Sequence, residues 1–208
     1  LAASGRQELE IYQNTVADIG EECYRMLNLI NMMLEISRTE SGAVEITRSR
    51  FDFRAMLRRS AELFSMPAEQ KHQKLTLRLP ETPVLVCCDQ QKLQQVAANL
   101  LDNAIKFSHT DSAITIETTE KNDKIFVSVK DTGIGIPGDS IKKIWERFYK
   151  TDLSRGKDKK GTGLGLSIVK EIVQAHGENI NCISTEGVGT EFIFTLPLAK
   201  KLSHQAGS

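Results

Sequence analysis

The chain has 208 residues, 40% of them hydrophobic and 26% charged, and its 27 basic side chains balance 27 acidic ones to a formal net charge of zero. These figures describe an ordinary globular protein of one or two domains and leave no basic footprint for nucleic acid. No apolar run approaches the ~18 residues that a bilayer-crossing helix needs, and no signal peptide is recognisable, so no membrane contact is expected of this segment. The four cysteines, Cys23, Cys87, Cys88 and Cys182, lack metal-ligand spacing and do not read as a disulfide framework, which favours a reducing, cytoplasmic setting.

The first predicted element is a long helix over about Glu8 to Thr39. Tyr12, Val16, Ile19, Cys23, Met26, Ile30 and Met33 recur at 4-3 spacing, a heptad seam, and Leu27 and Leu34 widen the stripe. Ser41-Gly42 ends it. Such a seam requires a partner helix, which is a second copy of the chain, an upstream helix, or both. The expected division is a helical region at 1–45, a second domain at 46–200, and a polar tail at 201–208.

The second domain alternates helices and strands. Asp52 caps a helix running to about Ala68 with Phe53, Met56, Leu57, Ala61 and Phe64 inward. Leu75, Leu77 and Leu79 alternate with polar residues as a strand, and Val84 to Cys87 form another. Asp89 caps the next helix. Ala113 to Thr119 and Lys124 to Lys130 read as a hairpin turning at Lys121-Asn122-Asp123. A short helix near Ser140 to Phe148, a charged loop from Tyr149 to Lys160, a helix from about Gly163 to His176, and a hairpin of Asn179–Ser184 with Thr190–Leu196 complete the domain. The expected fold class is α/β, a two-layer sandwich with helices on one sheet face and water on the other.

Three stretches stand out chemically. On the helix after Asp89, Asn99, Asn103 and Lys106 share a face, beside an apolar stripe of Leu93, Val96, Leu100, Ala104 and Phe107. Alone, that face could simply be solvated. Asp131 ends a strand and leads into Thr132-Gly133-Ile134-Gly135-Ile136, where a carboxylate can accept from an exocyclic amine and glycines admit a flat ring. Gly161-Thr162-Gly163-Leu164-Gly165-Leu166 opens a helix, whose free N–H groups suit phosphate. It is neither a Walker A loop nor a dinucleotide fingerprint. Either glycine run alone could be a plain turn.

Taken in order, residues 99–107, 131–136, Trp145-Glu146-Arg147-Phe148-Tyr149-Lys150 and 161–166 resemble the Asn box, first glycine box, Phe box and second glycine box of sensor histidine kinases of two-component systems. Residues 27–42 are similar to the second helix of the same family's dimerisation and phosphotransfer domain. The resemblance implies a Bergerat-type ATP-binding fold of the GHKL superfamily, preceded by a helix of a dimerisation bundle. It implies Asn103 as the Mg²⁺ ligand supported by Asn99, Lys106 as a phosphate contact, and Asp131 as the partner of the adenine amine. Phe107, Gly133, Gly135 and Ile136 would line the base. Tyr149 and Lys150 would open an ATP lid that Gly161, Thr162, Gly163, Leu164, Gly165 and Leu166 close, and Thr190 would assist Asp131 through water. ATP and Mg²⁺ are the implied cofactors. A response regulator receiver domain and a second copy of the chain are the implied partners, and the parent protein can be membrane-anchored.

One position separates the superfamily's reactions. Gyrase-like and chaperone-like ATPases, as the resemblance has it, carry a Glu base one turn before the metal-binding Asn. Here that position is Asn99, which cannot take a proton. The expectation is ATP held for a histidine nucleophile. None of His72, His109, His176 and His204 sits in a suitable helical context, so the acceptor is expected outside this chain. His176, before Gly177, reads as a comfortable cation or cap at a helix end. Trp145 and Phe148 read as packing anchors of the lid. The alternatives are a conformational ATPase and a nucleotide-binding regulator without catalysis.

Overall fold

The computed structural model describes residues 44–152 and 161–199, together with Thr15, Ile19 and Met26. The chain divides into two compact units, Leu1–Ala43 and Val44–Ser208. In the first unit the three described residues are helical, and Ile19 and Met26 are exposed. The rest of the helix expected over Glu8 to Thr39, the tail, and most of the charged loop lie outside the described residues.

In the second unit the elements run β1 (Ser49–Asp52), α1 (Phe53–Gln70), β2 (Lys74–Arg78), β3 (Leu85–Cys88), α2 (Gln90–Phe107), β4 (Ala113–Lys121), β5 (Lys124–Asp131), α3 (Gly165–Ala175), β6 (Ile180–Thr185) and β7 (Gly189–Pro197). The main sheet has five strands in the order β2-β4-β5-β7-β6, with β2–β4 parallel and the other pairs antiparallel. Strand alternation dictates its faces: Ile114, Ile116, Ile125, Val127, Val129, Phe192, Phe194 and Leu196 are all buried, while Lys130 and Ile183 on the opposite rows are exposed. Helix α2 packs between α1 and α3 over the inner face, burying Leu93, Val96, Leu100 and Leu101. Full burial of each such side chain contributes about 1.5–3 kcal/mol. This is the expected two-layer α/β sandwich. The β4–β5 hairpin turns at Asn122 and Asp123, both with positive φ (53° and 59°), as the turn that matches strand twist requires.

Three expectations change. A strand not expected before the Asp52-capped helix, β1, pairs antiparallel with β3 in a separate small sheet. The helix expected at Ser140–Phe148 is instead a run of turns, with Ser140 N–H donating to Pro137 O at 2.9 Å and Glu146 N–H to Lys143 O at 2.9 Å. The Tyr149 hydroxyl donates to Ser140 Oγ at 3.0 Å. Those residues would stand roughly 13 Å apart along an α-helix, so the tertiary contact is incompatible with the helix. His176 is the C-cap of α3, as expected, but it is not a cation. It is buried, its Nδ1 bonds Ile172 O at 2.8 Å and its Nε2 accepts from Asp89 N–H at 3.0 Å, which requires the neutral imidazole.

Both ends of α2 are tied down. At the start, Asp89 accepts from Lys92 N–H at 3.0 Å and from Thr47 N–H at 2.9 Å. At the end, Lys71 Nζ donates to Ile105 O at 2.8 Å, and Gln73 Nε2 donates to Ile105 O and His109 O at 3.1 Å each. These bonds satisfy carbonyls that a helix end leaves without partners. Burial opposes ionisation of Asp89, but the backbone hydrogen bonds from Lys92 and Thr47 outweigh it and hold the carboxyl below its ordinary pKa. A depressed carboxyl stabilises the fold above its unfolded pKa and loses that contribution as pH falls through its folded pKa. Asp89→Ala should therefore cost about 1–2 kcal/mol in urea denaturation at pH 7, and the deficit of Asp89→Asn should shrink below about pH 4.

Candidate nucleotide-binding site

The site begins where β5 ends. Asp131 is buried, and its Oδ1 accepts from Gly133 N–H at 2.8 Å and Thr190 N–H at 3.3 Å. Both bonds fall on one oxygen, which leaves Oδ2 to accept from a ligand. Burial pushes the Asp131 carboxyl above its usual range, against the pull of the two N–H groups. The loop that follows is laced on both sides. Ile134 N–H donates to Phe107 O at 3.0 Å, Gly187 N–H donates to Ile134 O at 2.7 Å, and Ile136 N–H donates to Ser184 Oγ at 2.8 Å. Gly135 has φ +68°, and a Cβ there would strike the Thr185 carbonyl, so the residue must be glycine.

The polar face of α2 forms a second wall. Asn99, Asn103 and Lys106 stand one turn apart, with Asn99 and Asn103 half-buried. The Asn99 carboxamide faces the start of α3: a Cβ on Gly165 would lie 3.4 Å from its Oδ1. Its Nδ2 is buried without a hydrogen-bond partner, an orphaned donor that costs about 1–3 kcal/mol unless a ligand or water meets it. Lys106 reaches back to Asp102 at 2.6 Å. That pair is more than a third exposed on both sides and is worth little to stability.

The third wall comes from the flanks of the 149–162 segment. Phe148 and Gly163 are stapled by Phe148 N–H donating to Gly163 O at 3.0 Å. Gly163 has φ +74°, and a Cβ there would sit 2.9 Å from Phe148 Cα. Phe148 itself has φ +63° and its side chain is 54% exposed, so it does not anchor the lid by packing as the sequence reading had it; that role falls to Trp145, edge-on to Phe192 at 5.8 Å. Tyr149 packs against the core, while Lys150, Gly161 and Thr162 are half-buried. Thr162 Oγ1 accepts from Leu164 N–H at 3.3 Å. Leu164 caps α3 without a side-chain hydrogen bond, so the N–H groups of the first turn, from Gly165 and Leu166 onward, lack intrahelical partners.

The fold thus gathers Asp131, the 133–136 loop, Phe107 and Thr190 around one end of β5, and sets Asn99 against Gly165. Sequence reasoning missed Ser184 and Cys182. Ser184 bonds Ile136 N–H, Gly189 O and the Thr190 hydroxyl. The Cys182 thiol is pushed up to about 12 by burial, with the Asp131 charge adding, so it packs as a neutral group. Period-2 alternation along β6 could have put both on the inner row with Ile180. Nothing local marked them as facing Asp131.

This arrangement is found in a known family. Residues 88–200 match the family described as histidine kinase-, DNA gyrase B-, and HSP90-like ATPase, and the chain belongs to it. Within that family its relatives are sensor kinases. It is 39% identical over 178 residues to the sensor histidine kinase WalK of Bacillus subtilis, covering 85% of this chain and 29% of WalK, so the chain spans under a third of that protein's length. The crystal structure of full-length ShkA in complex with AMPPNP superposes with a TM-score of 0.73 at 30% identity, over 85% of this chain and 36% of ShkA. The histidine kinase ThkA, solved in complex with the response regulator TrrA, superposes with a TM-score of 0.69 at 25% identity, over 88% of this chain and 51% of that one.

The Asp131 geometry makes function and stability oppose each other. A carboxyl whose folded pKa is raised stabilises the fold below its unfolded pKa, and that contribution is lost as pH rises through the folded value, so at pH 7 the buried charge is a net cost. Asp131→Asn should raise the melting temperature at pH 7 while weakening ATP binding by roughly 1–3 kcal/mol. Thermal denaturation and calorimetry on the same sample check both signs.

Proposed function

We propose that this chain is the ATP-binding catalytic portion of a sensor histidine kinase, which transfers the γ-phosphoryl group of ATP to a histidine outside these 208 residues, for relay to a response regulator. The observation that carries the reading is the Asn99 amide. It stands one turn before Asn103, faces the start of α3, and keeps a buried, unmatched N–H donor. An amide cannot remove a proton from water. It can donate to a phosphate oxygen or to a metal-bound water, so the site orients the triphosphate without activating the solvent.

The remaining residues take roles that fit their chemistry. Asp131 Oδ2 accepts from the adenine amine, and Phe107, Gly133, Gly135 and Ile136 line the base. The first-turn N–H groups of α3, at Gly165 and Leu166 behind Gly161, Thr162, Gly163 and Leu164, face the phosphates. Lys106, Tyr149 and Lys150 flank them. The fit for Mg²⁺ is that of a cation that retains waters and phosphate oxygens and needs few protein ligands. Among the described residues no group of three or more His, Cys, Asp or Glu side chains could hold a metal, and Asn103 supplies one hard amide oxygen. Mg²⁺ held by Asn103 would supply compensation of the phosphate charge.

The described histidines support an external acceptor. His176 is buried with both ring nitrogens engaged, and His72 and His109 lie at the connections flanking β2 and following α2. The heptad seam of the first unit supports a homodimer through the N-terminal helix, on the cytoplasmic side of a sensor that can be membrane-anchored. Among the described residues no helix is long and apolar enough to cross a membrane. The test is to incubate the chain with labelled ATP, alone and fused behind the first helix of a dimerisation domain. Alone it should neither label itself nor release appreciable phosphate. The fusion should gain acid-labile label on the added histidine, and Asn103→Ala should abolish it. Steady phosphate release by the chain alone, lost in Asn103→Ala, would move it to the ATPase reading.

A further inference from the structure

The hydroxyl of Ser184 has one proton and two lone pairs, and it has three partners in the structure. Ile136 N–H lies 2.8 Å away and can only donate. Gly189 O lies 2.9 Å away and can only accept. The third partner is the Thr190 hydroxyl, at 2.9 Å. The Ile136 N–H occupies one lone pair of Ser184, and the Gly189 carbonyl takes its proton. One lone pair remains, so Thr190 must be the donor in the hydroxyl pair. With its proton directed at Ser184, Thr190 Oγ1 presents only lone pairs elsewhere. Thr190 is buried, so bulk water does not average this direction away.

The row matters because of what stands next to it. Ser184, Thr190 and Asp131 are register neighbours across β6, β7 and β5, and all three lie on the sheet's inner row. The Thr190 N–H already donates to Asp131 Oδ1. The end of the sheet beside the glycine loop therefore offers two acceptors, Asp131 Oδ2 and Thr190 Oγ1, and no hydroxyl donor from this pair. Any group that meets Thr190, whether a base amine or a water touching the base, has to donate to it.

We propose that Ser184 is a positioning residue for base selection: by fixing the Thr190 hydroxyl as an acceptor it makes the pocket favour a 6-aminopurine over a 6-oxopurine. This rests on the nucleotide-binding reading above and sharpens it. A 6-amino group donates to both acceptors, whereas a 6-oxo group brings an oxygen against oxygens. A site whose buried polar groups are aimed one way discriminates strongly against the partner of opposite sense. Removing the Ser184 hydroxyl frees the Thr190 proton to turn toward the pocket, where it can meet a 6-oxo group.

The experiment compares Mg²⁺–ATP and Mg²⁺–inosine triphosphate binding by calorimetry in the parent chain, Ser184→Ala, Ser184→Thr and Thr190→Val, with thermal denaturation of each. The parent chain should prefer ATP. Ser184→Ala should shrink the preference about 5- to 10-fold, the size of one hydrogen bond's sense, chiefly through tighter inosine triphosphate binding. Ser184→Thr, which keeps a hydroxyl, should retain the parent ratio. Thr190→Val should also lose preference, and it covers the case in which Ser184→Ala does not fold. A parent chain that binds neither nucleotide overturns the nucleotide reading itself. A parent chain that prefers ATP, with the ratio unchanged in a folded Ser184→Ala, or in Thr190→Val where Ser184→Ala does not fold, overturns this inference alone.

Discussion

The site depends on one suspended loop. Residues 133–136 hang between the last carbonyls of α2 and the β6–β7 hairpin: Ile134 donates to Phe107 O, and the hairpin answers through Gly187 N–H and Ser184 Oγ. Each bond is individually worth about 1 kcal/mol. Their arrangement does more than their sum, because a loop held at both sides cannot collapse into the space beside Asp131. The N–H groups of Gly133, Ile134 and Ile136 are satisfied by neighbours instead of by a ligand, and acceptors are left on Asp131 Oδ2 and Thr190 Oγ1.

That suspension in turn requires α2 to end where it does. Lys71 and Gln73 bind the carbonyls of Ile105 and His109, which sets the height of Phe107 O against the loop. At the other end of α2, the Asp89 cap, the neutral His176 of α3 and Thr47 converge. Arg48 adds 3.3 Å contacts to Cys87 O and His176 O. The segment entering the domain is thus fastened to the two helices whose other ends carry Asn99, Asn103 and the second glycine run. Asn99 and Asn103 sit on a regular element, and the 149–162 segment is flanked by the Phe148–Gly163 staple.

The buried charge on Asp131 is the expense of this design. Desolvation pushes its carboxyl upward, and the two N–H donors on Oδ1 only partly answer it. A protein selected for stability alone would place an amide or an apolar side chain there. Keeping a carboxylate beside a hydroxyl of fixed sense follows if the pocket must receive an amine.

Much was legible in the sequence because the signals were local and periodic. Asp52 and Asp89 announced their helices through cap chemistry, Asn122-Asp123 announced the hairpin, and period-2 alternation over 113–119 and 124–130 placed its strands. The face of Asn99, Asn103 and Lys106 followed from helical spacing, and the four ordered motifs pointed to the family. What only the tertiary structure decided involved partners far apart in the chain. His176 became a neutral acceptor because Asp89 N–H, 87 residues away, points at it. Residues 140–148 became turns because Tyr149 had to reach Ser140 while Trp145 met Phe192. Ser184 acquired its role because three strands brought it into register with Thr190 and Asp131. A sequence displays propensity and period, which depend on neighbours a few residues away. The sense of a hydrogen bond depends on which atoms are delivered to it, and only the packed sheet delivers them.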